Sequence, residues 1–152
     1  MATPGDTKLL LDVMCGGLRS VLRMVGYDTV YALDRGLEAD VAIREIALAE
    51  HRVLVTRDRP LAERTPGAVC VESTDTDEQL AALSEAGFAL DLDEPTRCSA
   101  CNGLLVAVGP DEPTPAYAPD PAQEACWRCR ACGQVYWRGS HWDDVDERLA
   151  HL

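Results

Sequence analysis

Four of the seven cysteines fall into two CxxC units, CSAC at 98–101 and CRAC at 129–132. Two tight turns that each present a pair of thiolates can close a tetrahedron around Zn²⁺ at about 2.3 Å per ligand. Such a site has no open coordination position, so the metal expected here is structural. The stretch CWRCRAC also offers Cys126 with Cys129 as the second unit. Gly133 directly after Cys132, matching Gly103 shortly after the first unit, favours Cys98, Cys101, Cys129 and Cys132 as the ligands and leaves Cys126 as a spare thiol. An odd total of seven cysteines, four of them in paired CxxC units, argues for metal rather than disulfides. Cys15 and Cys70 sit in strand–helix context and are expected as small core residues.

A second set of residues able to do chemistry is acidic. Asp12 closes the apolar run KLLL, Asp40 opens an amphipathic stretch, and Asp58 follows VLVT. In an open parallel α/β sheet, strands end and helices begin at one edge, where ligands bind. Three carboxylates at that edge repel one another unless they pair with Arg, share protons or hold a hard divalent cation such as Mg²⁺ or Mn²⁺. A carboxylate-held cation can activate water for phosphodiester cleavage. Arg19, Arg23, Arg57 and Arg59 are spaced to meet phosphates near such a site. Each aspartate also has a structural alternative: Asp40 as a helix N-cap and Asp58 as the cap of a short turn at PLAE. Asp12 has less local reason to end an apolar strand.

The last third is aromatic and basic around its cysteines, with Tyr136, Trp137, Arg138, His141 and Trp142 in VYWRGSHW and Trp127, Arg128 and Arg130 close by. Arg and aromatic rings together stack on unpaired bases and hold phosphates. Arg138, His141 and Trp142 are the candidates for such nucleic-acid contacts, with His141 also able simply to cap the turn. The alternative is packing of a ribbon that has almost no core of its own, which is the expected role of Trp137.

These residues need elements to position them. KLLLDV (8–13), DTVYAL (28–33), VLVT (53–56) and AVCV (68–71) read as buried strands, with FALDL (88–92) a further short one. GGLRSVLRMVG (16–26), ADVAIREIALAEHR (39–52) and TDEQLAALSEAG (76–87) show helical spacing of apolar residues, and Gly26 and Gly87 suit helix ends. Alternation of strand and helix implies a mostly parallel sheet covered by helices. Pro110, Pro113, Pro115, Pro119 and Pro121 exclude regular structure from that segment, and HWDDVDERLAHL (141–152) is compatible with an amphipathic helix. The texture changes near residue 95, which divides the chain into 1–95 and 96–152.

The composition is acidic: 26 Asp and Glu against 14 Lys and Arg, net charge −12, with Lys8 the lone lysine. Depletion of lysine with retention of arginine suits a protein working in concentrated salt, where the Debye length falls to roughly 3 Å. On this halophilic reading, local Arg clusters say more about partners than net charge does. No run reaches the length of a membrane span and the start MATPGDTK lacks a secretory pattern, so a cytoplasmic protein without a membrane partner is expected.

Taken in order, LLLDVMCGGLRSVLRMVGYDTVY, DVAIREIALAEHRVLVTRDRPL and the two knuckles followed by VYWRGSH resemble the Mut-seven C-terminal RNase family, a branch of the PIN-like nucleases with a C-terminal zinc ribbon. The resemblance runs from about residue 8 to 142. It implies an α/β fold with a PIN-like three-layer domain at 1–95, a mostly parallel sheet, and a small zinc ribbon at 96–152. It also implies metal-dependent cleavage of RNA, with Asp12, Asp40 and Asp58 as the catalytic Mg²⁺ or Mn²⁺ ligands. PIN-like nucleases commonly add a further acid, and Asp34 and Glu38 are the nearby residues. The alternative function is a non-catalytic RNA-binding module, associated with the ribosome or with RNA processing.

Overall fold

Lys8–Leu11 forms the central strand, β1, because three consecutive leucines can be buried only where both faces of a sheet are covered. The structure is a computed structural model and describes residues 1–152. β2 (Asp28–Tyr31) and β3 (Arg52–Thr56) flank β1, and β4 (Val69–Cys70) lies outside β3, giving the all-parallel order β2-β1-β3-β4. Leu11 pairs with both Tyr31 and Val55, so the strands end together at one edge.

Helices cover both faces. On one, α1 (Arg19–Val25) and α4 (Thr76–Glu85) bring Val21, Leu22, Leu80 and Leu83 onto Leu9, Leu11 and Val55. On the other, α2 (Asp40–Ala49) and α3 (Arg59–Arg64) bring Ile43, Ala47 and Leu61 onto Leu10, Val30 and Leu54. Each fully buried Leu or Ile in these layers contributes about 2–3 kcal/mol of transfer free energy. This is the expected three-layer α/β arrangement.

The ribbon is a second, antiparallel sheet of β5 (Leu105–Ala107), β6 (Cys126–Cys129) and β7 (Val135–Trp137). The proline-rich stretch between β5 and β6 has neither helix nor strand, as its composition requires. α5 (Ser140–Ala150) then returns to the first sheet and seats Val145 in the core beside α1 and α4. The elements of the first sheet end by Glu85 and the second sheet begins at Leu105, while the last helix belongs to the core of the first. No helix is long and apolar enough to cross a membrane.

Two local expectations are corrected. The helix expected from residue 16 begins as a 3-10 turn at Val13–Leu18, because the Asp12 side chain accepts from Val13 N–H and Cys15 departs from helical geometry. It ends as expected on Gly26, whose φ of 115° suits a residue without Cβ. The strand expected at 88–92 does not form: Phe88 makes one bridge to Ala2, and Phe88 and Leu90 turn into the core. That bridge is made by Ala2 N–H on Gly87 O and Ala89 N–H on Ala2 O, both at 2.8 Å, and the Tyr27 hydroxyl lies beside it, 2.8 Å from Ala89 O and 2.9 Å from Ala2 O.

Candidate functional site

The connection after β1 passes over one face of the sheet and the connection after β3 over the other. This divergence opens a crevice at the carboxyl ends of two adjacent strands. Asp12 and Asp58 flank it. Asp12 N–H still donates to Val55 O at 2.9 Å, so its carboxylate leaves from the last rung of the ladder. Asp12 is only 8% exposed; Oδ1 accepts from Val13 N–H at 2.8 Å and Oδ2 from the Thr56 hydroxyl at 2.6 Å. Thr56 Oγ1 also accepts from Asp58 N–H at 3.0 Å. Asp58 caps α3 through Oδ1, which accepts from Leu61 N–H at 3.1 Å, so its capping role is real and leaves Oδ2 facing out of the cap.

Asp40 does not stand with these two. It is the first residue of α2, whose N-cap is Ala39, and its carboxylate lies 3.5 Å from Arg64 Nη2. Asp34 lies 3.8 Å from Arg19 Nη1. Only the four cysteines 98, 101, 129 and 132 form a group of three or more His, Cys, Asp or Glu ligand atoms within 4.8 Å of one another. The three aspartates thus share an edge without sharing one ligand sphere in this arrangement. Asp12 and Asp58 nonetheless offer hard oxygen donors with free lone pairs, which suits a cation that takes one or two carboxylates and completes its shell with water.

The arginines divide into two kinds. Arg57 reaches Glu72 O at 3.3 Å, Arg59 pairs with the Glu72 carboxylate, and Arg19 lies over the Tyr31 ring at 4.9 Å. These exposed contacts are worth at most about 1 kcal/mol and yield readily to a phosphate. Arg23 is different, and the expectation that it meets phosphate is corrected. It is 3% exposed, and its guanidinium donates to Thr29 O at 3.0 Å, Ser99 O at 3.0 Å and Ala100 O at 3.3 Å. Its place on the inner face of α1 puts it beneath the first CxxC turn.

The four expected cysteines do meet. Cys98 and Cys132 sulfurs are 3.7 Å apart, and those of Cys101 and Cys129 3.5 Å. A zinc tetrahedron with 2.3 Å bonds has edges of about 3.8 Å. Cys129 Sγ accepts from the N–H groups of Ala131 and Cys132, both at 3.4 Å. Burial pushes this thiol up, but those N–H groups together with the neighbouring Cys101 and Cys132 thiols bring it down to about 7. A Cβ on Gly103 would sit 2.7 Å from Cys129 Sγ, so the knuckle requires glycine there. The Tyr136 hydroxyl lies 2.9 Å from Cys98 Sγ and orients that ligand. The donor set therefore fits a metal such as zinc. Cys126 lies outside the cluster, buried in β6 with its sulfur 3.4 Å from Glu124 O.

Sequence reasoning missed how the knuckle is fastened to the sheet. Asn102, between Cys101 and Gly103, has φ of 71° and uses both ends of its amide. Oδ1 accepts from Thr29 N–H at 2.9 Å, and Nδ2 donates to Asp28 Oδ1 at 2.8 Å. Arg52 donates to the same Asp28 oxygen at 2.9 Å, and Arg97 stands 3.8 Å from the other. Burial pushes the Asp28 carboxyl up, but the bonds from Arg52 and Asn102 hold it below the usual carboxylate range. Asp28 and Arg52 begin their strands, so the knuckle docks at the amino edge of the sheet, opposite Asp12 and Asp58. An Asn in a CxxCNG turn was the available signal, since Asn tolerates left-handed backbone.

In the ribbon, Trp127 is the packed residue at 6% exposure, with Arg138 over its ring at 5.3 Å and over Trp142 at 6.0 Å. Trp137 stacks on Tyr117, while exposed His141 lies in the first turn of α5, whose N-cap is Gly139.

A family model described as the Mut7-C RNAse domain matches residues 7–149. No curated protein and no solved structure gives a significant match to the chain.

Proposed function

The chain belongs to the Mut7-C RNAse domain family, and from that membership we propose a metal-dependent ribonuclease that hydrolyses RNA phosphodiester bonds at the carboxyl edge of the parallel sheet. The observation that carries this reading is the pair Asp12 and Asp58 at the β1/β3 crevice, joined through the Thr56 hydroxyl. Asp12 and Asp58 would hold Mg²⁺ or Mn²⁺, with Asp40 joining them once its carboxylate leaves Arg64. Such a cation supplies water activation and charge neutralisation at the phosphodiester. Thr56 keeps Asp12 oriented toward the crevice. Arg19, Arg57 and Arg59, held only by exposed partners, neutralise the phosphates on either side. Zn²⁺ on the four cysteines is structural, and the ribbon carries RNA contacts through Arg138, His141 and Trp142. The acidic, lysine-poor surface fits work in a salty cytoplasm.

A second reading, an RNA-binding module without turnover, draws on the pairing of Asp40 with Arg64 outside the reach of the other two carboxylates. Cleavage of labelled single-stranded and structured RNAs in molar KCl, with Mg²⁺ or Mn²⁺ and with neither, separates the two. Metal-dependent cleavage that disappears in Asp12→Asn and Asp58→Asn supports the nuclease. RNA retained without cleavage supports the binding module, and equal cleavage by all three proteins removes the aspartates from the chemistry.

A further inference from the structure

A cavity of about 230 Å³ lies between β7, the start of α5 and the first knuckle, whose Ser99 lines one side of it. Trp137, Trp142, Tyr136 and His141 line it with Arg97 and Gln134. We propose that this cavity binds one unpaired RNA base, several nucleotides away from the scissile bond; the polymer's identity rests on the ribonuclease reading.

Trp127 and Val135 close the ribbon's interior, at 6% and 1% exposure; of the cavity's rings, Trp137 stacks on Tyr117 and the Tyr136 hydroxyl is held at Cys98 Sγ, which leaves Trp142 without an aromatic partner. Trp137 and Trp142 remain half-buried and contribute to the wall of an open space. A flat π-surface with amide, hydroxyl and imidazole groups around it matches a nucleobase, which stacks by its face and hydrogen-bonds by its edge. Arg138, 6.0 Å from the Trp142 ring, supplies positive charge for a flanking phosphate, while Arg97 in the wall is already engaged by Asp28 and Asn102 O. With a net charge of −12, the chain as a whole repels a polyanion. Stacking is the contact that such repulsion, or concentrated salt, opposes least.

The position of the cavity determines which base it takes. The knuckle docks on Asp28 and Thr29 at the amino edge, whereas Asp12 stands at the carboxyl edge. From Lys8 to Asp12 the strand alone spans about 13 Å. The base held by the ribbon is therefore not a neighbour of the phosphate at Asp12, and short substrates cannot use both places.

The test is fluorescence anisotropy of a 5′-labelled single-stranded dodecauridylate, with zinc-loaded protein carrying Asp12→Asn to block cleavage. Adding Trp142→Ala is expected to raise Kd about tenfold or more, and Trp142→Phe to restore most of the affinity. Photocrosslinking of a 4-thiouridine dodecamer to the protein with native Trp142 is expected to mark Trp137 or Trp142, and it decides the matter should Trp142→Ala fail to fold. Unchanged Kd in folded Trp142→Ala, or crosslinks confined to the Arg57–Arg59 edge, overturns the proposal. Wild-type protein that cuts no RNA but crosslinks at the cavity refutes the nuclease and keeps the base site. Cleavage of RNA with Kd unmoved by Trp142→Ala refutes the base site alone.

Discussion

Thr56 Oγ1 stands 2.6 Å from Asp12 Oδ2 and 3.0 Å from the amide nitrogen of Asp58, so one buried hydroxyl joins the acidic residues that follow β1 and β3. The hydroxyl has one proton, directed at Asp12, and a lone pair that takes the Asp58 N–H. Removing it leaves a carboxylate oxygen and a backbone donor without their partner. Thr56→Val, nearly equal in shape, is expected to lower stability by about 1–3 kcal/mol and ribonuclease kcat by about 10–100-fold. Thr56→Ser should recover most of both. Urea unfolding and single-turnover cleavage measure the two effects separately.

Asp58 has two roles that substitution can part. Asn caps helices as well as Asp does, so Asp58→Asn is expected to keep wild-type stability while losing about 100-fold or more in cleavage. Asp58→Ala loses the same activity and about 1 kcal/mol of stability as well. Equal activity in Asp58→Asn and wild type would reduce Asp58 to a cap.

Arg23 binds the first knuckle to α1 through carbonyls of Ser99 and Ala100. Its truncation leaves those carbonyls and Thr29 O unpaired. Arg23→Met is expected to lower stability by about 2–3 kcal/mol and to speed zinc loss to a chelator, because the turn carrying Cys98 and Cys101 is no longer held. Gly103→Ala should also speed zinc release, through the contact its Cβ would make with Cys129 Sγ. Thermal melts with and without chelator, alongside a colorimetric zinc assay, check both.

Asp28 ties stability to pH. Its folded carboxyl titrates below the ordinary range because Arg52 and Asn102 favour the charged form over the effect of burial. A depressed carboxyl contributes stability that is complete above the unfolded pKa of about 3.9 and is lost as pH falls through the lower folded value. Denaturant unfolding from pH 6 downward should therefore show a steeper acid loss in wild type than in Asp28→Asn. Parallel curves would remove Asp28 from the linkage.

Much of this molecule was readable along the chain because its signals are local. A CxxC turn presents two sulfurs whatever surrounds it, so Cys98 and Cys101 were legible from spacing, and the glycine after Cys132 favoured Cys129 and Cys132 over the Cys126 alternative. Apolar runs of four residues between amphipathic stretches require a covered parallel sheet, and that placed Asp12 and Asp58 at one edge. Tertiary structure decided what lies far apart in sequence. Thr56 and Asp12 are separated by 44 positions, and Arg23 and Ser99 by 76. No periodicity records such partners. Arg23 reads as one more surface arginine until the knuckle is laid over it, and Asp40 reads like its two companions until Arg64 is found beside it. The face of a helix is set by its own residues, but what meets that face is set by the packing of the whole chain.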